Sequence, residues 1–504
     1  RITGVFRDIA LSFFFGSSNE IATFMVAFRF TYLFRKLFGE STIQSGFIPY
    51  YSNLEKEKAL FFYRDFSFSL FFFLLSAVGL LEIGCWAFHL VYPIHFFHYM
   101  MMMFPGLIFI CLYALSSSFL HCQNRFFLPG LSPLFFNVIW VAAAFCLKNQ
   151  SKIGYGLSVA TVAAYFVQWA VLELSCMKIY TPYLSKNFFS FKLFSKEVRS
   201  LLKPLFLTAV GVGALQINSF LDAFFSKIAD PSGPAFLWYS IRFYQLPLAL
   251  FALSFSNALL PQLSKAEDRF HFQNIFEGSL KNCLSFIFLS FFALITLAGP
   301  MLNFVYGRGH FTTLDTLETV RCLWSYSLGL IPATFVVFLS ALFYAKKNYK
   351  IPMLGSWISV IANLIFNFCF VFIFQLSSFA IALATGLSSL INALFLFLAL
   401  RRDRFQFSKN AQISFIKNGL SWGIAGGATI LFALFLKEGS VLYLFYGKPF
   451  FERSFFKQAY VLLILGVFYL SIGFIGIKTF GCREIFSFFK QKKAGFKSEA
   501  GVND

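Results

Sequence analysis

Apolar stretches of about twenty residues recur along almost the whole chain, separated by short loops rich in Lys and Arg. A stretch of that length spans the hydrocarbon of a bilayer as an α-helix. Inside lipid, every backbone N–H and C=O must be satisfied within the segment, which leaves helices and closed barrels as the only options. A barrel needs short alternating segments, and none are present. A soluble domain carries about 25% charged residues, whereas this 504-residue chain carries 13% and has a mean hydropathy of +0.71. The fold class is an all-α polytopic membrane protein with about fourteen transmembrane helices. The first segment runs over 1–16. The second, 21–50, is long and polar in its middle, which predicts a kink or a cavity-lining face. Later segments include 67–91, 154–177, 204–228, 277–305, 322–345 and 351–374.

Cations concentrate in alternate loops: Lys56, Lys58 and Arg64; Arg125; the stretch from Lys178 to Lys203; Lys265 and Arg269; Lys346, Lys347 and Lys350; Arg401, Arg402 and Arg404. By the positive-inside rule these loops face the cytoplasm. Both termini are then cytoplasmic. The net charge of +20 is spent on topology, so nucleic acid is not an expected partner. Lys490, Lys492 and Lys493 in the basic tail, 481–504, suit anionic lipid headgroups. The first residue is Arg, which predicts a start inside the first helix with a short piece upstream. The 78 Phe residues are read as filling for lipid-facing positions. The cysteines form no CxxC pair and are read as small buried hydrophobes. His89, His95 and His98 beside Met100 are read as a span end, ahead of a soft-metal site.

An internal repeat organises the chain. Phe28-Arg29 resembles Ile241-Arg242, and each is followed by a span ending at a proline, Pro49 or Pro261. The stretch Phe119–Pro129 resembles Leu342–Pro352, with offsets of about 212 to 223 residues. Six spans per copy keep both copies in one orientation, so the prediction is two parallel lobes around a central cavity, the basis for alternating access. The predicted divisions are 1–180 and 200–402 for the lobes, 410–480 for two additional helices, and 481–504 for the tail.

An ionisable group at bilayer depth costs about 2.5–3.5 kcal/mol on insertion scales and normally faces a protein interior or a wet cavity. Here those groups are mostly cationic: Arg1, Arg7, Arg29, Arg35, Lys36 and Arg242, with Asp8 placed to pair with an arginine. Guanidinium groups suit phosphates, so an anionic substrate is expected. Asp222 is read either as a ligand for Na⁺ or H⁺ or as a structural partner of a cation, and Asn367 as an oxygen ligand if their helices meet. There is no P-loop, HExxH, GxSxG or dinucleotide fingerprint, no clustered carboxylates for Mg²⁺, and no loop large enough for a catalytic domain. A transporter is expected and an enzyme is not.

Arg1-Ile-Thr-Gly-Val-Phe-Arg7-Asp8, followed by Phe15-Gly16, resembles the opening signature of MurJ-type (MviN) lipid II flippases. Val26-Ala-Phe-Arg29, Leu33-Phe-Arg35-Lys36-Leu-Phe-Gly-Glu40 and Phe47-Ile-Pro49 are similar to that family's second span. Tyr306-Gly-Arg-Gly-His-Phe311 and Phe343-Tyr344-Ala with Pro352 match later landmarks. The resemblance implies a fold of the multidrug/oligosaccharidyl-lipid/polysaccharide exporter superfamily. It implies Arg7, Asp8, Arg35 and Arg242 in a central cavity, with Arg1 as a further cation. It implies lipid II, the undecaprenyl-pyrophosphate-linked cell-wall precursor, as substrate, a lipid-tail groove on spans 13 and 14, and cell-wall synthesis enzymes as neighbours. Two positions depart from the family. Ala22 stands where many members carry an acid, with Glu20 nearby. If Asn367 is the family's sodium-site Asn, the later acid is replaced by Val371; if Asn363 is, it is replaced by Asn367. Two alternatives stay open: export of another anionic lipid-linked glycan or metabolite on this scaffold, and a non-transporting scaffold of cell-wall synthesis.

Overall fold

The computed structural model describes residues 2–92, 94–150, 152–184, 191–265, 268–402, 407–436 and 454–481. Arg1 and the predicted tail from 482 onward lie outside the described residues. Nineteen helices are described, with no strand among the described residues. Among the described residues, eleven helices or helix pairs are long and apolar enough to cross a membrane. The short α1 (Ile2–Phe15) and the charged α2 (Asn19–Phe38) are not among them, and these two carry most of the predicted cations.

The chain divides into two compact units, Arg1–Ala235 and Phe236–Asp504. In the first, α2 and α3 (Glu40–Ser52) are followed by α4 (Lys56–Val91), α5 (His95–Met103), α6 (Pro105–Cys122), α7 (Phe127–Leu147), α8 (Ile153–Leu184) and α9 (Lys196–Ala229). α8 packs against both α6 and α7, α1 rests on α7, and α9 lies along α2 and α3. The second unit holds α10 (Gly233–Pro247), α11 (Leu253–Lys265), α12 (Arg269–Thr296), α13 (Ala298–Tyr306), α14 (Thr313–Leu328), α15 (Leu330–Ala345), α16 (Lys350–Phe368), α17 (Phe379–Arg402), α18 (Lys409–Phe435) and α19 (Phe455–Phe480). α17 packs on α14, α15 and α16, while α18 packs on α12 and α19.

The predicted second segment is broken at Gly39. A Cβ there would lie 2.4 Å from the carbonyl oxygen of Arg35 in the last turn of α2, so this tight exit from α2 requires glycine. Several helices outrun their apolar windows. α4 begins eleven residues before position 67, because its first turns bury Arg64 and Asp65 as a pair at 2.7 Å. Helix propensity carries these polar ends past the point where hydropathy falls.

Some local features are alike at positions that the sequence repeat pairs. α6 and α15 both end in a turn with one left-handed residue, Asn124 at φ 56° and Lys347 at φ 58°. In each turn the next amide donates back over five residues, Arg125 N–H to Leu120 O and Asn348 N–H to Phe343 O, both 2.9 Å. The Arg29 span breaks at Gly39, and the Arg242 span loosens into a π turn at Leu248–Ala252. In the C-terminal pair, Trp422 of α18 is fully buried against α19, where Gly473 leaves room for it. Tyr469 Oη donates to Leu289 O of α12 at 2.7 Å.

Candidate functional site

The apolar face of α1 would make Arg7 untenable alone. Its Nε and Nη2 donate to Asp8 Oδ1 at 3.1 and 2.8 Å, and its Nη1 donates to Asn137 Oδ1 of α7 at 3.2 Å. Asn137 Nδ2 returns to α1 by donating to Thr3 Oγ1 at 2.8 Å. Asp8 is 2% exposed and the Arg7 side chain 11%. The charge pair is thus removed from water and tied to a second helix, the arrangement that offsets the desolvation of a buried ion.

The Arg7 guanidinium also lies 5.2 Å from the centre of the Trp140 ring, a cation–π contact. From Trp140 an aromatic series continues to Phe136 at 5.3 Å and Tyr165 of α8 at 5.2 Å. At its far end stands Arg35, 5.5 Å from Tyr165 and 5.3 Å from Tyr32. Lys36 also lies over Tyr32, at 5.5 Å. Two of the predicted cations are therefore seated at opposite ends of one buried aromatic row. The row is packed into the unit: Trp140 and Tyr165 are buried, and Trp140 packs against Phe24 and Phe28 of α2.

Arg29 takes a different role from Arg35. It is buried, and its Nη1 donates to Ser219 O of α9 at 3.2 Å. Asp222, also buried, lies one turn further along α9. The seam between α2–α3 and α9 continues through Phe30 and Phe220 at 4.9 Å and Ser45 Oγ to Thr208 Oγ1 at 3.3 Å. At one end of the seam, Lys227 Nζ donates to Asn19 O at 3.1 Å and to Pro231 O at 2.6 Å. Glu20, the acid near Ala22, accepts from Gly154 N–H at 2.8 Å and Tyr99 Oη at 3.2 Å, fastening α2 to the start of α8 and the middle of α5.

In the second unit Arg242 lies 4.6 Å from the Trp238 ring, one turn back on α10. Five residues beyond it, Pro247 leads into the π turn at 248–252. Asn363 and Asn367 are fully buried, with Asn367 Nδ2 donating to Asn363 Oδ1 at 2.8 Å. Val371 falls in a second π turn, Cys369–Ile373. Such turns mark helices bent for function more often than chance. Asp222 belongs to the first unit and Asn367 to the second.

Sequence reasoning missed Asn137, Trp140, Tyr165 and Ser219. Asn137 and Trp140 were findable as polar-capable residues three apart on an otherwise apolar helix. Tyr165 and the Ser219 carbonyl carried no comparable signal.

The sequence profile of the family described as "Lipid II flippase MurJ" matches residues 11–451. The chain belongs to the MurJ family. Within it, the probable lipid II flippase of Chlamydia muridarum is 31% identical over 403 residues, covering 77% of this chain and 74% of that one. The lipid II flippase of Thermosipho africanus is 30% identical over 426 residues, covering 82% and 86%. A solved MurJ in an inward closed conformation superposes with a TM-score of 0.76 at 26% identity, covering 95% of this chain and 97% of that one. An inward-facing multidrug-resistance transporter of the MATE family shares the fold, with a TM-score of 0.66 at 12% identity, covering 80% and 94%. The MurJ match includes Arg29, Arg35, Asp222, Arg242 and Asn367, while Arg7 and Asp8 precede the matched range. The chain is a multi-pass membrane protein of a bacterial family.

Proposed function

We propose that this protein moves lipid II from the cytoplasmic to the outer leaflet of the inner membrane, with both of its own termini in the cytoplasm. The observation that carries the reading is the buried Arg7–Asp8 pair joined by an aromatic row to Arg35, in a chain that belongs to the MurJ family. Arg7, Arg35 and Arg242 bind the pyrophosphate, each charge-assisted contact contributing about 1.5–3 kcal/mol. Arg1 adds a further cation, and Arg29 holds the α2–α9 seam. Two lobes alternate access around the headgroup while the tail stays in lipid. For the tail, the groove expected on spans 13 and 14 is supported on α18, where a cleft of about 630 Å³ against α12, lined by Phe288, Phe292, Gly419 and Gly423, offers almost wholly apolar surface.

A membrane potential, negative inside, favours outward movement of the anion by about 2.3 kcal/mol per charge per 100 mV. It also draws the empty cationic site back inward, so no nucleotide is needed. Asp222 and Asn367 are the proposed contributors if Na⁺ or H⁺ is coupled to the cycle. Cell-wall synthesis enzymes are the proposed protein neighbours. The test is depletion of the protein in its own cell, scoring which leaflet holds lipid II, with Arg242→Ala as the comparison for rescue. Lipid II should accumulate on the cytoplasmic face and be cleared by the wild type but not by Arg242→Ala at equal protein level. Full rescue by Arg242→Ala would overturn the assigned headgroup site.

A further inference from the structure

The first unit contains a second polar feature, on the opposite sign of charge, that the transport reading does not use. Glu173 lies in the middle of α8, a candidate membrane span. Its Oε2 accepts from Ser116 Oγ at 2.7 Å and Tyr63 Oη at 3.1 Å, and its Oε1 accepts from Tyr180 Oη at 2.9 Å. Among the described residues Glu173 makes no ion pair. A carboxylate has about four acceptor positions; three are filled by hydroxyls and one, on Oε1, is open.

This acid lines a cavity of about 260 Å³ between α4, α6 and α8. The rest of the wall is apolar and largely aromatic: Phe68 and Phe71 of α4, Phe109 of α6 and Trp169 of α8. Phe109 and Trp169 lie 5.7 Å apart, so an acid and two π faces share one space. Aromatic walls around a carboxylate are the chemistry that recognises an organic ammonium. The cation nearest the acid among the lining residues, Arg64, is committed to Asp65 through Nε at 2.9 Å and Nη2 at 2.7 Å. Asp65 also receives the Lys192 N–H at 3.2 Å, which brings Lys192 and its neighbours onto α4 beside the cavity, with Phe191 stacked on Phe68 at 4.0 Å.

The flanking faces say where an occupant comes from. Phe72 and Phe73 on α4 and Leu174 and Met177 on α8 are exposed on membrane-spanning helices, so the surface around the cavity meets lipid. The neighbouring loop is one of the basic loops predicted to be cytoplasmic. We propose that this cavity binds the primary ammonium headgroup of a zwitterionic phospholipid from the inner leaflet. The ammonium donates to the open position on Glu173, its phosphate lies toward Lys192, and its chain follows the exposed faces of α4 and α8. A primary ammonium fits better than a trimethylated one because only the former has an N–H for the open acceptor. The inference is independent of the proposed transport role.

Native mass spectrometry of the full-length protein, titrated with phosphatidylethanolamine, phosphatidylcholine or phosphatidylglycerol of identical chains, tests it. One phosphatidylethanolamine should bind at least tenfold more tightly than either other lipid, and Glu173→Gln should abolish that preference. Leu112→Trp, which fills the cavity and keeps the acid, should abolish it as well, and serves alone if Glu173→Gln does not fold. Equal binding of the three lipids by the wild type, or an undiminished preference in a folded variant, would overturn the proposal.

Discussion

Asp8 is the residue that allows Arg7 to exist where it does. Removing one partner of a buried pair leaves an uncompensated charge and costs about 3–5 kcal/mol. Asp8→Ala should therefore lower the unfolding midpoint of the purified protein, and an unchanged midpoint would show that Asn137 and Trp140 hold Arg7 unaided. Arg7→Lys should keep the charge but lose function in complementation. A lysine cannot reproduce donation from three guanidinium nitrogens to Asp8 and Asn137. Full complementation by Arg7→Lys would mean that charge alone matters at this position.

At the level of elements, glycines decide where helices break and how closely they pack. A Cβ on Gly39 meets the Arg35 carbonyl at 2.4 Å, so Gly39→Ala has to move the end of α2 that carries Arg35 and Lys36. Loss of flipping at normal abundance is the expected outcome, scored by complementation against protein level. On α19, a Cβ at Gly473 would lie 2.0 Å from the fully buried Trp422 ring. Overpacking of that kind costs about 1–3 kcal/mol, so Gly473→Ala should reduce thermal stability, with the effect confined to the α18–α19 pair. The two π turns, at 248–252 and 369–373, are the remaining element-scale features, and both follow predicted site residues in sequence.

At the scale of the molecule, the prediction concerns topology. The turns after α6 and α15 share a left-handed residue and carry Arg125 and Lys346, Lys347 and Lys350, so both should face the cytoplasm. Single cysteines at Gln123 and Lys347, in a cysteine-free background, should react with an impermeant maleimide only after the inner membrane is opened. Labelling of either in intact spheroplasts would invert the predicted orientation. The helical class, the broken second span and the cationic character of the site were all legible in the sequence. Each is fixed by a local property: run length, polar interruption, or charge inside an apolar stretch. The pairing of Arg7 with Asp8 was legible too, because the two are adjacent. Four things were decided only by tertiary structure: the tie to Asn137, the aromatic row to Arg35, the Arg29 bond to a carbonyl of α9, and the hydroxyls gathered on Glu173. The physical reason is the same for all four. Apart from the Tyr180 hydroxyl, seven residues from Glu173, each depends on a contact between residues 57 to 190 positions apart, which local sequence does not specify. Sequence shows which groups need a partner in lipid, and the packing of helices determines which partner each one gets.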